Sequence, residues 1–144
     1  MKQKAWLWAL IRGLVGVGAL VSLLGCSARP FAVTDRKTCK GIDATGNSQE
    51  ETDVFGVVDT VYFWFQYTGA VPGQAIKVKF TYIDEQGNTQ THETPTELTP
   101  GSHSASAQLS PPASGETLVP GRYDVEILND ADVAYGPPLT FTIE

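Results

Sequence analysis

The chain has 144 residues, with 10 Lys and Arg against 16 Asp and Glu, a formal net charge of −6. That length holds one ordinary domain. The acidic balance sets aside nucleic-acid binding, which depends on Lys and Arg neutralising phosphates.

The first segment carries Lys2, Lys4 and Arg12, and an apolar run follows from Gly13 to Gly25. A basic n-region, an apolar h-region of about 7–15 residues and a small residue at its end form a secretory signal. A spanning helix needs about 20 apolar residues. Extending the run backwards through Ile11 and Leu10 would bury Arg12, so an uncleaved anchor is the lesser alternative.

Leu23-Leu24-Gly25-Cys26 closes the run and resembles the lipobox of bacterial lipoproteins. Leu23, Gly25 and Cys26 match directly, while Leu24 stands where a small residue is commoner. The resemblance implies that the Cys26 sulfur receives a diacylglyceryl group, that the chain is cut before it and that the new amine is acylated. Two or more acyl chains hold a protein stably on a membrane without a spanning helix. Ser27 is not the Asp that favours inner-membrane retention in Gram-negative members, so the resemblance implies an outer-membrane location in such a source. Residues 1–25 are then a signal peptide, 26–35 a lipidated N-terminus and tether, and 36–144 the domain.

Cleavage leaves 119 residues with 7 Lys and Arg against 16 Asp and Glu, a net charge of −9. Anionic lipid should repel such a chain, so the membrane link is the lipid on Cys26. Cys39 becomes a lone thiol. It is expected to be buried and inert; an intermolecular disulfide or a reactive thiol, with its pKa lowered by Lys37 and Lys40, is the alternative.

Residues 27–35 read as an extended tether broken at Pro30, able to lift the domain by up to roughly 30 Å. Residues 43–53 are polar and loop-like. From Val54 the chain reads as β. In 57–67, Val61, Phe63, Phe65 and Tyr67 form one face, suited to a core. Ile76, Val78, Phe80 and Tyr82 alternate cleanly inward. Asp84-Glu85-Gln86-Gly87-Asn88 is a hairpin connection, with Gly87 and Asn88 available for positive φ. A polar edge strand over 89–93 and a weakly alternating strand over 102–109 follow. Then come a Pro-rich loop over 110–115, a strand with Tyr123, Val125 and Ile127 inward, and a terminal strand from Leu139.

Several short strands separated by turns specify an all-β sandwich. Pro120-Gly121-Arg122-Tyr123-Asp124-Val125 followed by Phe141-Thr142-Ile143 resembles the last two strands of bacterial immunoglobulin-like modules, in which the aromatic is buried at the corner where the strand begins. That role attaches to Gly121 and Tyr123. The run from Cys39 through Phe55, Tyr62 and Trp64 is similar to the opening of extracytoplasmic proteins of this kind. The expected fold is an immunoglobulin-like antiparallel β-sandwich of about seven strands.

No catalytic constellation is expected. His92 and His103 lack zinc-site spacing, the serines at 102–110 lack a nucleophile elbow, and the acidic turns 84–88 and 129–132 lack the calcium-loop pattern. No metal and no cofactor are expected. Tyr62 and Trp64 fall on the face opposite the core. There they form a candidate surface for a protein partner or for sugar rings, unless loops, the tether or a neighbouring strand cover them, or the strand faces are reversed. These residues point to a non-catalytic binding or assembly module of the bacterial envelope, with an envelope protein as partner. The alternative is a carbohydrate-binding module. An enzyme, which would need a pocket joining Asp or Glu with His92 or His103, comes last.

Overall fold

A computed structural model describes residues 29–144; the expected signal peptide and Cys26 lie outside the described residues. Nine strands follow one another: β1 (Ala32–Ile42), β2 (Ser48–Glu51), β3 (Val54–Phe55), β4 (Val61–Ala70), β5 (Ala75–Ile83), β6 (Thr89–Glu97), β7 (Gly101–Leu109), β8 (Gly121–Leu128) and β9 (Leu139–Ile143). They form a four-stranded sheet in the order β2-β1-β4-β7 and a five-stranded sheet in the order β3-β9-β8-β5-β6. The first sheet is antiparallel throughout, whereas in the second β3 runs parallel to β9.

The expected alternation holds in the central strands. Val61, Phe63, Phe65 and Tyr67 of β4 point between the sheets, as do Ile76, Val78 and Phe80 of β5, Tyr123, Val125 and Ile127 of β8, and Phe141 and Ile143 of β9. Strict period-2 patterning with β-branched and aromatic residues explains this: a one-residue slip in register would turn each set out to water. The rings interlock, with Phe63 stacked on Phe65 at 5.7 Å and Phe55 edge-on to Phe141 at 5.7 Å.

Three boundaries depart from expectation. The count is nine strands rather than about seven, because β2 and β3 are short edge additions. β1 begins at Ala32, so four residues of the expected tether 26–35 belong to the sheet. Phe31 just before it packs edge-on to Tyr135 at 4.7 Å and against Tyr67 at 5.9 Å, which draws the chain into the fold. Within the expected loop 43–53, Ser48–Glu51 is a strand, pairing Cys39 with Glu51 and Gly41 with Gln49.

β6 and β7 are consecutive yet lie at free edges of different sheets. Pro95 sits in β6, where its missing N–H is tolerated because that side has no ladder to feed.

Candidate functional site

The sequence directs attention to the outer face of the four-stranded sheet. Tyr62 and Trp64 alternate there on β4, beside Cys39 and Lys37, which stand opposite them on β1. The faces are not reversed, but the surface is not open. Trp64 is only 4% exposed, which corrects the expectation of a bare aromatic surface at Tyr62 and Trp64. Past Cys39, β1 leaves β4 and pairs only with β2. The tip of that hairpin crosses the sheet face. Trp64 Nε1 donates to the Gly46 carbonyl at 2.8 Å, and Ser104 Oγ of β7 donates to the same oxygen at 3.2 Å. Lys37 Nζ lies 5.2 Å from the centre of the Trp64 ring while pairing with Glu51 at 2.6 Å. Tyr62 remains half-buried. A covered indole has no free face on which a sugar ring can stack, so the surface that would carry carbohydrate binding is reduced to Tyr62.

Cys39 lies under the same cover and is fully buried. Its Sγ donates to the Gly41 carbonyl at 3.2 Å. Burial pushes the thiol pKa up, outweighing the backbone hydrogen bonds at Gly41 and Gln49. Burial and the raised pKa both weigh against the reactive reading of Cys39. Lys37 is engaged by Glu51, and Lys40 pairs with Asp59 at 3.0 Å. Neither cation offsets the burial.

The covering turn has a local cause. Asp43 Oδ1 accepts hydrogen bonds from Thr45 N at 2.9 Å, Thr45 Oγ1 at 2.7 Å and Asn47 N at 2.9 Å, while Gly46 takes φ of 82°. The hairpin between β5 and β6 repeats it. Asp84 Oδ1 accepts from Gln86 N at 2.9 Å and Asn88 N at 2.7 Å, and Gly87 has φ of 84°. A third copy follows β8, where Asn129 Oδ1 accepts from Ala131 N and Val133 N, both at 2.9 Å, and Asp132 has φ of 60°. This is an Asx-type turn closed by a left-handed residue. The repeated Asp-x-x-Gly-Asn at 43–47 and 84–88 was readable as a signal, but composition alone does not reveal it. Only Gly87, not Asn88, takes up positive φ in the second turn.

The carboxylates of these turns are engaged locally. The Asp43 and Asp84 carboxylates are held below the usual carboxylate range by donors of their own turns, the Thr45 hydroxyl and the Asn88 amide first among them. Asp132 is held down by its ion pair with Lys77. Among the described residues no group of three or more His, Cys, Asp or Glu is placed to hold a metal.

His92 and His103 do not converge. Both are exposed; His92 stands opposite Phe80 in one sheet and His103 opposite Tyr67 in the other. His103 Nε2 lies 3.1 Å from the Pro100 carbonyl. Two serines of the cluster serve structure: Ser104 bonds to Gly46, and Ser110 lies 3.3 Å from the Thr60 hydroxyl.

At the corner opening β8, Tyr123 Oη donates to the Val119 carbonyl at 2.8 Å and its ring stacks on Phe141 at 5.2 Å. Burial raises its pKa, with Tyr82 adding to the effect. Gly121 is required beside it: φ is 143°, and a Cβ there would sit 2.7 Å from Tyr82 Cε2. Such a corner, a Tyr bonded back to the chain just upstream, is a hallmark of immunoglobulin-type sandwiches.

Among the described residues five large apolar side chains reach solvent: Val54 lies on the edge strand β3, and the other four lie at the ends of the sandwich. Val71 and Val133 are 52% and 59% exposed at the end where the described chain enters. Val58 and Val119 are 71% and 52% exposed at the other. Each end has a shallow depression, one lined by Val71, Pro72, Asn129 and Tyr135, the other by Val58, Pro111, Gly115 and Glu116.

The fold and its tyrosine corner define an immunoglobulin-like β-sandwich. An immunoglobulin-like protein from Pseudomonas aeruginosa superimposes with a TM-score of 0.60 at 13% identity, covering 82% of this chain and 99% of that one. The alkylpurine DNA glycosylase AlkC of Pseudomonas fluorescens, bound to DNA containing an abasic site analogue, matches with a TM-score of 0.50 at 13% identity, over 79% of this chain but only 30% of that one. These likenesses are of fold alone. No family model matches the chain, and no curated relative does.

Proposed function

We propose that the chain is a lipid-anchored, non-catalytic binding or assembly module of the bacterial cell envelope, held on the extracytoplasmic side of a membrane by acyl groups on Cys26. The observation that carries this reading is how near to Cys26 packed structure reaches. The chain is already seated at Arg29 and Pro30, whose carbonyls lie against Gly69 so closely that a Cβ there would stand 2.6 Å from the Pro30 oxygen. Packed backbone therefore reaches to within three residue steps of Cys26, and a cut before that cysteine leaves it intact. The absence of Asp at position 27 favours the outer membrane in a Gram-negative source.

The module works through its surface. Six of the seven cations of residues 29–144 are engaged within the fold: Arg36 with the Pro137 carbonyl, and Lys37, Lys40, Lys77, Lys79 and Arg122 with carboxylates. What remains for a partner is acidic, with apolar side chains at the ends. An envelope protein is the partner that chemistry fits, and Val58 and Val119 are the anchors offered at the end away from the tether. Fractionation tests the reading: the native chain should sediment with membranes and Cys26→Ser should move to the soluble fraction. A Cys26→Ser chain that stays with membranes would contradict it. A photo-crosslinker at Val58 should capture one envelope protein that a crosslinker at Glu126, on the five-stranded sheet, does not.

A further inference from the structure

The seating of the N-terminal segment has a geometric consequence. From Cys26 to Arg29 the chain spans three residue steps, at most about 10 Å when extended. The point it is fixed to is one end of the sandwich. Arg29 and Pro30 abut Gly69 at the exit of β4, and Phe31 packs on Tyr135. The same end carries the 71–74 turn and the 129–133 turn, which meet across a shallow depression also lined by Tyr135. The opposite end holds turn 84–88 and loops 56–60 and 110–120. β5 alone has nine residues, or roughly 30 Å of strand between the two ends.

We propose that the end built from residues 71–74 and 129–135 rests directly on the lipid surface that holds Cys26, so that the sandwich stands upright and presents loops 56–60 and 110–120 outward. This placement rests on the lipid-anchor reading. A tether of about 10 Å leaves the domain a choice between standing on this end and lying on a broad face. The broad faces are unsuited to lipid. One carries the charge ladder Lys79–Glu126, Lys77–Glu93 and Arg122–Asp124. The other presents Gln66, Ser104, Ser106 and Gln108 beside the hairpin that covers Trp64. The end offers exposed Val71 and Val133 with Pro72 between turns and half-buried Tyr135 behind them. Apolar tips with an aromatic at the polar boundary suit a bilayer interface. Asp132 at this end is neutralised by Lys77; Asp130, and Glu97 opposite Ala75, are the charges that make a zwitterionic surface the better fit.

The test uses the full chain, made in a bacterium that processes lipoproteins and reconstituted with its acyl groups into phosphatidylcholine vesicles containing a doxyl-labelled lipid quencher. Val71→Cys, Val133→Cys, Val58→Cys and Gln86→Cys are each labelled with bimane. The native chain, whose Cys39 is buried, is the blank. Fluorescence at positions 71 and 133 should be quenched at least about twofold more than at 58 and 86, as contact within the headgroup and upper acyl region requires. Equal quenching at the two ends, or stronger quenching at 58 and 86, in a chain that floats with the vesicles overturns the upright placement and leaves the lipid anchor standing. A chain that does not float with the vesicles overturns both.

Discussion

The molecule has two buried regions, and they are built differently. The main core lies between the sheets, where Phe63, Phe65, Phe80 and Phe141 come from four different positions on three strands and exclude water on all sides. The second lies on the outer face of the four-stranded sheet, where Trp64 and Cys39 are covered by one hairpin tip held by Gly46. Equal burial therefore does not mean equal dependence on the whole fold. Losing the first means losing the sandwich, whereas the second can open when a single hairpin lifts.

The comparison breaks most visibly under large truncations. Phe65→Ala should cost about 3–5 kcal/mol, read as a shift of the urea midpoint. Trp64→Ala should cost less, about 2 kcal/mol, because the hairpin can settle into the vacated space. Cys39 reports the difference directly. In Trp64→Ala it should react with a thiol reagent at urea concentrations below the global transition; in Phe65→Ala it should react only within that transition. Simultaneous exposure in both variants would show that the two regions form one cooperative unit.

Smaller changes sharpen the same contrast. Tyr123→Phe should cost about 1 kcal/mol by removing the hydrogen bond to Val119. Trp64→Phe should cost about the same by removing the one to Gly46, but only the latter should raise Cys39 reactivity. Asp43→Ala and Asp84→Ala destroy equivalent turns, yet only Asp43→Ala should unmask Cys39, since only its turn covers Trp64.

The effects of pH should be smallest. Asp43, Asp59, Asp84 and Asp132 have lowered pKa values in the folded chain. Their contribution is present above the ordinary carboxylate range, near pH 4, and is lost as pH falls through the lowered values. Tyr123 and Cys39 are raised, so their contribution is present below their ordinary values, near pH 10 and 8.5, and is lost as pH rises through the raised ones. Thermal midpoints should therefore fall at both extremes, with Cys39 alkylation accelerating on the alkaline side.

The main core was legible in the sequence because strand alternation has a strict period, and Val61 through Tyr67 can satisfy it in only one register. The tyrosine corner was legible from Gly121 and Tyr123. The cover over Trp64 was not, because alternation assigns a side chain to a face and says nothing of what crosses that face. β2 escaped notice because Ser48–Glu51 is entirely polar, as a short edge strand can be. The start of β1 was obscured by Pro30, which reads as a break and stands just before the residue, Phe31, that ties the chain to Tyr67 and Tyr135. That shift of boundary bears on the proposed anchor: it puts packed backbone at Arg29, three residue steps from Cys26.

The anchor at Cys26 underlies that account, and the intact mass of the chain purified from the membrane fraction tests it most directly. The account predicts a species beginning at Cys26 and carrying the added mass of two or three acyl chains. An unmodified chain beginning at Met1 would contradict it.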